Sequence, residues 1–373
     1  MKNDVIGLVD FHNAPSLGEL TANRSLGSTS FLGRYAFCDF ALSNYCNSEI
    51  ANVGLLIRDH ERSVLKHLGN MNAWVTNTKI GKETIMYNER GILNPTFNTD
   101  INNIRENDWV LYDSSAAYIV FQSSHIVANV DLRPILNEHI ERKEKITVVY
   151  KSIPDASQEF LSSATCTVDE KGYVTSIGRN KHQAAPAKVS MEIWIINRTV
   201  LADIIKRHAT VSELYGMKEM LAYLIQNGIY KVHSYEFKGY ARCFDSFEHY
   251  CDYCFEVLDP KVAEQLFAPE WPHYTLTHDT PPALYGEKSS VSNSFVSNGA
   301  VIEGEVSDSV ISRHVKIGKG SVIKHCILFS NVSIGENCVI ENALIDKYSI
   351  ITKDHKVVSP EGEMHYLKQG VIL

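Results

Sequence analysis

Two six-residue repeats near the C-terminus constrain the fold of this chain more than any other feature. The segments Ile317-Gly-Lys-Gly-Ser-Val322 and Ile334-Gly-Glu-Asn-Cys-Val339 share one pattern, and an isoleucine directly follows each of them. An aliphatic residue at every sixth position, with small residues between, is typical of a left-handed parallel β-helix in which the aliphatic side chains stack inside the coils. An ordinary sheet of short strands is the alternative, but two matching hexads favour the β-helix.

The first 255 residues alternate short apolar runs with segments of helical periodicity. Repeated strand-then-helix units are typical of an α/β, Rossmann-like domain with a mixed, mostly parallel sheet and helices on both faces. Residues 165–177 instead predict short alternating strands joined by a hairpin turn at Lys171-Gly172. The predicted strands are 5–9, 53–57, 118–121, 145–150 and 190–196, and the predicted helices are 63–68, 131–142, 200–207 and 247–258.

Prolines divide the chain into two domains. Proline ends helices and is excluded from central strands, so a proline-rich stretch predicts a linker that crosses the surface. The sequence therefore predicts an α/β domain over 1–255, a linker over 256–288 and a β-helix domain over 289–373. The prolines in the predicted linker are Pro260, Pro269, Pro272, Pro281 and Pro282.

Charge and hydrophobicity exclude two classes of partner. The formal net charge of −8 argues against nucleic acid, because a surface that binds phosphates needs clustered Lys and Arg. No run approaches the ~18 apolar residues of a membrane span, and the N-terminus lacks the apolar segment of a signal peptide. We therefore predict a cytoplasmic protein without a nucleic-acid or membrane partner.

The eight cysteines do not form the framework of a small disulfide-rich protein. Cys251 and Cys254 have the spacing of a zinc pair, but the sequence offers no second pair to complete four ligands. Both lie in a predicted helix, so buried thiols on its inner face are the favoured interpretation.

The segment after the first predicted strand lacks the residues that hold a triphosphate. Glycines let backbone N–H groups approach phosphate oxygens, and a cation offsets their charge. Here the segment Asp10-Phe-His-Asn-Ala-Pro-Ser-Leu-Gly18 contains an acid, a phenylalanine, a proline and a single late glycine. The next part, which includes Tyr35, Asp39-Phe-Ala-Leu-Ser-Asn44 and Asn47-Ser48, resembles the N-terminal signature of bacterial glucose-1-phosphate adenylyltransferase (ADP-glucose pyrophosphorylase).

This resemblance covers essentially the whole chain and implies a nucleotidyltransferase domain followed by a hexapeptide β-helix. It also implies that three positions used in catalysis are altered. The two magnesium aspartates of the family correspond to Ser124 and Cys243, and the lysine that contacts phosphates corresponds to Leu26. Serine and thiol groups are poor ligands for a hard cation, so we predict no catalytic residues, no metal site and no cofactor. Asp245 is the alternative ligand if it shares a strand face with Cys243.

The resemblance implies two further sets of binding residues. Lys181 and Ser190 match positions of the sugar-phosphate pocket, although Glu192 adds an acid that would repel phosphate. Arg24 and Lys347 match positions that bind anionic effectors between the two domains of the family. For Lys181, Arg24 and Lys347 the alternative is an ordinary surface charge.

The resemblance therefore predicts a regulatory, GlgD-type subunit of ADP-glucose pyrophosphorylase that is catalytically inactive. Such a subunit would modulate a catalytic partner in a heterotetramer and could bind an anionic sugar-phosphate effector. An active sugar-phosphate nucleotidyltransferase with an atypical site and a stand-alone sugar-phosphate sensor are the alternatives. A β-helix acyltransferase is a more distant one, for which His314 and His325 would be the candidate residues.

Overall fold

A computed structural model describes residues 4–74, 82–112 and 115–373. The N-terminal domain is built on a nine-stranded sheet. The described strands of the whole domain, which include two further two-stranded sheets, are β1 (Val5–Asp10), β2 (Ser30–Phe31), β3 (Tyr35–Ala36), β4 (Asn52–Ile57), β5 (Lys82–Tyr87), β6 (Tyr118–Ser123), β7 (Ile126–Ala128), β8 (Ile146–Ile153), β9 (Ala164–Val168), β10 (Tyr173–Arg179), β11 (Ala187–Asn197), β12 (Val232–Glu236) and β13 (Ala241–Cys243).

Helices cover this sheet and continue into the segment that follows it. The described α-helices are α1 (Phe37–Asn47), α2 (Glu61–Leu68), α3 (Glu89–Leu93), α4 (Asp100–Glu106), α5 (Trp109–Tyr112), α6 (Leu132–Glu141), α7 (Arg198–Val211), α8 (Met217–Gln226), α9 (Phe247–Glu256) and α10 (Pro260–Leu266). Short 3₁₀ helices span Gly18–Thr21, Leu26–Ser28 and Pro95–Phe97. Within the described residues, no helix has the length and apolar character that crossing a membrane requires.

The sequence predicts a mixed, mostly parallel sheet, and the observed sheet is mixed, with both parallel and antiparallel pairs. Its strand order is β5-β4-β1-β6-β11-β8-β12-β10-β9. Strands β5, β4, β1 and β6 are parallel, whereas β11 runs antiparallel to both β6 and β8. Strands β9 and β10 form the predicted hairpin, and Gly172 supplies the positive φ of +83° in its turn.

Two cores lie on opposite faces of this sheet. Val5 and Val9 of β1 pack into the core formed with α1, α2 and α6, while Ile6 and Leu8 pack into the core formed with α4, α7 and α8. Alternate residues of a strand point to opposite faces, so a continuous apolar run is what a strand buried on both faces requires. The predicted cover of helices on both faces is thereby confirmed.

The C-terminal domain is a parallel β-helix of hexapeptide repeats. The register advances by 17 residues per coil where Val322 pairs with Val339 and Val339 pairs with Lys356. Its described strands are β14 (Leu284–Tyr285), β15 (Ser290–Ser292), β16 (Phe295–Val296), β17 (Val301–Ile302), β18 (Glu305–Ser307), β19 (Val310–Ile311), β20 (Lys316–Ile317), β21 (Val322–Leu328), β22 (Ser333–Ile334), β23 (Val339–Ile345), β24 (Ile350–Ile351), β25 (Lys356–Val358) and β26 (His365–Leu367).

The repeats that predict the β-helix supply its interior. Ile317 stacks on Ile334 and Ile323 stacks on Ile340 in neighbouring coils, and all four are buried. Stacking identical aliphatic side chains buries a continuous apolar column that no single coil could bury alone. Cys326 and Cys338 also lie within this column; they are buried and free.

The predicted linker contains regular structure at both ends. Helix α10 begins behind the N-cap Asp259, whose side chain accepts a hydrogen bond from the Lys261 N–H. At the other end β14 already pairs in parallel with β17, so the first coil starts before residue 289. Between them, the Trp271 side chain donates a hydrogen bond to Asn44 of α1 and thereby holds the crossing segment against the first domain.

A shared apolar core joins the two domains. Rings from β2, α1 and α9 meet side chains on the outer surface of the β-helix coils, and the ring centroids of Phe37 and Phe244 lie 4.2 Å apart. Aromatic burial of this kind contributes more per residue than aliphatic burial, so the two domains form one packed body. The fully buried members include Phe31, Phe37, Phe40, Phe244, Phe329 and Leu344.

Candidate functional site

The segment at the end of β1 forms a closed hydrogen-bond network instead of a phosphate loop. The backbone N–H of His12 donates to Asp10 Oδ1 at 2.9 Å, and His12 Nε2 lies 3.1 Å from Asn98 Oδ1. The Asn13 side chain donates to both Asp10 Oδ2 at 2.7 Å and Asp100 Oδ2 at 3.2 Å. The His12 backbone N–H, a donor of the kind that faces phosphate oxygens in a glycine-rich loop, is therefore satisfied by a carboxylate of the protein itself.

The two carboxyl groups of this network differ in pKa. Burial raises the pKa of Asp100 to about 7, and the neighbouring Asp10 adds to the shift. Burial alone would raise the pKa of Asp10 too, but the hydrogen bonds and charge of His12 outweigh it and lower this pKa below its usual value. Asp10 therefore remains ionised near neutral pH, and its charge repels a triphosphate at this position.

Apolar packing occupies the neighbouring space. Leu26, which the resemblance assigns to the position of the phosphate lysine, is 3% exposed and belongs to the core between the domains. Phe11 is also buried, and a Cβ on Gly27 would lie only 2.5 Å from its ring and 2.8 Å from Ser124 Cβ. Leu26 thus contributes packing here, and the backbone at Gly27 leaves no room for even a methyl group.

The structure brings together the two positions that the resemblance assigns to magnesium ligands. Ser124 directly follows β6, and Cys243 ends β13, where it pairs with Ile126 of β7. Both side chains are buried. The Cys243 sulfur lies 3.6 Å from the Ser162 hydroxyl, while Ser124 Oγ has no hydrogen-bond partner within the described part of the chain.

These residues do not fit a magnesium ion. Mg²⁺ requires oxygen ligands, usually carboxylates, and a thiol is too soft a donor. Burial raises the pKa of Cys243 well above its usual value, so its sulfur stays protonated. No step of a magnesium-dependent reaction can therefore be assigned to Ser124 and Cys243.

Asp245, the alternative metal ligand, is already engaged by other residues of the protein. Strand β13 ends at Cys243, so Asp245 does not share a strand face with it. The Asp245 carboxylate instead accepts a hydrogen bond from the Ser162 N–H at 3.1 Å and lies 2.5 Å from His249 Nδ1. Both of its oxygens are engaged in local structure.

A buried ion pair lies next to Ser190, which the resemblance assigns to the sugar pocket. Glu192, on an irregular stretch of β11 with φ of +50°, is 2% exposed and pairs with Lys218 of α8. Burial alone would lower the pKa of Lys218, but the Glu192 charge outweighs it and the pKa is raised. The acid that the sequence analysis expected to repel phosphate is thus neutralised by a lysine of the protein.

The two residues predicted to contact a sugar phosphate lie in different surroundings. Lys181 is exposed in the loop between β10 and β11. Ser190 is buried in β11, where its hydroxyl accepts a hydrogen bond from the Glu192 N–H at 3.1 Å. The Ser190 side chain therefore supports the ion-pair segment.

A basic groove between the domains is the second candidate site. It has a volume of about 1070 Å³ and is lined by residues of α2, the β2–β3 segment and the β-helix. None of its described lining residues is Asp or Glu. The Lys and Arg residues that line it are Arg24, Arg34, Arg62, Lys66, Arg313 and Lys347.

The structure places both predicted effector residues on this interdomain groove. Arg24 Nη2 lies 2.5 Å from Asp346 of the β-helix, and the guanidinium packs over the Phe329 ring at 5.5 Å. The other terminal nitrogen, Arg24 Nη1, is buried and has no hydrogen-bond partner among the described residues. Arg24 thus links the two domains and keeps one donor unsatisfied, as a binding site for an anion would require.

The positively charged side chains of the groove repel one another, and burial together with this repulsion lowers the pKa of two of them. Burial and the nearby Arg24 lower the pKa of Lys347 to about 8. Burial and Arg34 likewise lower the pKa of Arg313 below its usual value. Positive charge concentrated on low-dielectric walls attracts anions, so the interdomain groove has the electrostatics of an anion site.

Comparison with known proteins identifies the family. A family model described as nucleotidyl transferase matches residues 16–240, and one described as GlmU-like, C-terminal hexapeptide matches residues 281–364. The glycogen biosynthesis protein GlgD of Bacillus subtilis (strain 168) is 30% identical over 99% of this chain and 97% of its own length. The chain belongs to the family of GlgD and glucose-1-phosphate adenylyltransferase.

Proteins named glucose-1-phosphate adenylyltransferase are also similar to this chain. The glucose-1-phosphate adenylyltransferases of Bacillus anthracis and Bacillus thuringiensis subsp. konkukian (strain 97-27) are each 26% identical over 92% of this chain and 92% of their own length. The match to the GlgD and glucose-1-phosphate adenylyltransferase family therefore spans both domains.

Sequence reasoning missed several residues that define the two candidate sites. Lys218 and Asp100 stand far along the chain from the residues they contact, and no local spacing connects them. Arg34 and Arg313 come from different domains, so their proximity appears only in the fold. The one available signal was the acid at position 192, because a buried acid requires a cationic or hydrogen-bonding partner.

Proposed function

We propose that the chain is a regulatory, catalytically inactive subunit of glucose-1-phosphate adenylyltransferase, which converts ATP and glucose 1-phosphate to ADP-glucose and pyrophosphate in bacterial glycogen biosynthesis. One observation carries the proposal: Ser124 and Cys243, which the resemblance assigns to the family's metal ligands, are both buried, and the strand that ends at Cys243 pairs with the strand that follows Ser124. Without that metal, neither the phosphates nor the developing charge is stabilised. The 30% identity to a protein named for glycogen biosynthesis supports the pathway.

An active nucleotidyltransferase with an atypical site is the competing proposal. It would need an alternative metal ligand and room for a triphosphate. Asp245 is engaged by Ser162 and His249, and the Asp10 network adds negative charge where the triphosphate would sit. Both observations favour the inactive subunit.

The proposed regulatory ligand is an anionic effector, such as a sugar phosphate, in the interdomain groove. Support comes from its six Lys and Arg side chains, its lack of acidic side chains among the described lining residues, and the unsatisfied Arg24 Nη1. Because residues of both domains line the groove, a ligand there would favour one relative arrangement of the domains. Regulation requires such a difference in affinity between two states.

The proposed partner is a catalytic homologue in a cytoplasmic heterotetramer. The proposed inactive chain nevertheless retains the folds of both domains of the family. Assembly with another subunit requires only these folds and no catalytic residues. Closed assemblies with two-fold symmetry are common among soluble oligomers, which favours a tetramer. A stand-alone sugar-phosphate sensor would have the same groove but no partner. Assembly with a catalytic homologue therefore distinguishes a regulatory subunit from a stand-alone sensor.

Co-expression with a catalytic subunit from the same cell tests the assembly. We expect the two chains to elute together at the mass of a tetramer in light scattering, in a fixed ratio. The matched control is Arg313→Gln, which removes one positive charge from the groove. This variant should assemble normally, because the proposed ligand is not needed for contact between subunits. Separate elution at all concentrations would leave the stand-alone sensor as the better explanation.

Anion binding in the groove is expected to weaken as pH rises through the pKa of Lys347. With a pKa of about 8, Lys347 is charged below that pH and neutral above it, while sulfate keeps its charge throughout. Loss of a contact worth about 1 kcal/mol corresponds to about a fivefold rise in Kd. Calorimetry with sulfate at constant ionic strength measures this change, and Lys347→Arg, which stays charged, should abolish it. An unchanged pH dependence in that variant would contradict the role of Lys347.

A further inference from the structure

Three metal-ligating side chains of different kinds converge between α1 and α2. The sulfur of Cys38, a carboxylate oxygen of Asp39 and a ring nitrogen of His67 all lie within 4.8 Å of one another. His67 Nε2 is 2.6 Å from Asp39 Oδ1, and the Cys38 sulfur is 3.9 Å from the same oxygen. None of these residues takes part in the degenerate nucleotide site.

We propose that Cys38, Asp39 and His67 bind a zinc-class divalent metal ion. Thiolate, imidazole and carboxylate are the three ligand types that Zn²⁺ accepts, and three protein ligands leave one position for solvent. The sequence predicts no metal site, because the two altered aspartate positions lack carboxylates and the cysteine pair in α9 has no second pair. The present set joins α1 to α2 and could be seen only in the fold.

A hydrogen bond from the backbone holds the Asp39 carboxylate in place. Asp39 is fixed by its second oxygen, Oδ2, which accepts a hydrogen bond from the Ala36 N–H at 2.9 Å at the start of α1. Oδ1 then remains directed at His67. Metal ligands are commonly oriented by such outer hydrogen bonds, which reduce the reorganisation needed for binding.

His67 is the one ligand of the three that is partly exposed to solvent. Cys38 and Asp39 are buried, but His67 is partly exposed and lines the interdomain groove. Binding requires the thiolate, so the Cys38 proton leaves to solvent as the metal–sulfur bond forms. A soft thiolate beside imidazole selects zinc over magnesium or calcium, which prefer oxygen ligands.

Titration of the full-length chain with Zn²⁺ or Co²⁺ alone tests this site. We expect one Co²⁺ per chain and a near-ultraviolet thiolate-to-cobalt charge-transfer band, which Cys38→Ser should abolish. Cys46→Ser, the same change on the same helix, should leave the band intact. Because Cys46 is half-buried and is not part of the set, it is a matched control.

His67→Gln provides a second variant that can still hydrogen-bond to Asp39. Loss of an outer-shell partner typically weakens metal affinity about 10- to 100-fold, so loss of a direct ligand should raise the Kd for Zn²⁺ by more than about tenfold. Chelator competition measures that Kd, and circular dichroism checks that each variant is folded. Binding of less than one Co²⁺ per chain, or an unchanged band in folded Cys38→Ser, would overturn the proposal.

Discussion

Purified alone, the chain should synthesise no ADP-glucose above background. Each ~1.4 kcal/mol of lost transition-state stabilisation costs a factor of ten in rate, and bound metal contributes several kcal/mol to phosphate chemistry. Ser124 and Cys243 cannot bind that metal, and the charge of Asp10 repels the triphosphate where it would lie. A turnover within tenfold of the ~10 s⁻¹ typical of enzymes would favour the active nucleotidyltransferase instead.

Restoring the two carboxylates should not restore activity. In the double variant Ser124→Asp with Cys243→Asp the metal ligands return, but Phe11 and the Asp10 network still occupy the phosphate region. Calorimetry should therefore detect no magnesium-dependent binding of ATP at micromolar concentration in either the original chain or this variant. The double variant Ser124→Asn with Cys243→Asn controls for changed volume without added charge. Magnesium-dependent ATP binding by the original chain would contradict the proposed loss of function.

Lys218→Met should strongly destabilise the fold. The change leaves the Glu192 carboxylate, which is 2% exposed, without its cationic partner. Removing one member of a buried ion pair typically costs about 3–5 kcal/mol, because an uncompensated charge then remains in a low-dielectric interior. Urea unfolding followed by circular dichroism gives the change in the free energy of unfolding.

The matched control for this effect removes both charges. Replacing a buried ion pair by apolar residues of similar size is often neutral or stabilising, so Glu192→Leu combined with Lys218→Met should recover most of the loss. A loss below about 1 kcal/mol in Lys218→Met, the usual value for an exposed pair, would show that solvent compensates Glu192.

The fold was predictable because its signals are local. The hexads around Ile317 and Ile334 have the period of one coil face, and the run Val5–Val9 is apolar at every position, as burial on both faces requires. The domain boundary was less predictable. Strand β14 contains only Leu284 and Tyr285, and it is defined by pairing with a strand in the next coil.

The sites were predictable only where a residue type itself excludes a role. The resemblance assigns Ser124 and Cys243 to the metal positions of the family, and neither side chain is a suitable magnesium ligand whatever surrounds it. Lys218, in contrast, becomes significant through its contact with Glu192, and the contacts of Asp245 with Ser162 and His249 appear only in the fold. Such relations depend on tertiary contacts that spacing along the chain does not encode.

The rate of a catalytic homologue from the same cell, measured across a series of ratios to this chain, tests the regulatory role most directly. A coupling free energy of ~1–3 kcal/mol would change its activity or effector affinity roughly 5- to 150-fold. We predict that this change saturates at a fixed ratio of the two chains. Identical kinetics at every ratio, with and without anionic effector, would contradict the role as a regulatory subunit.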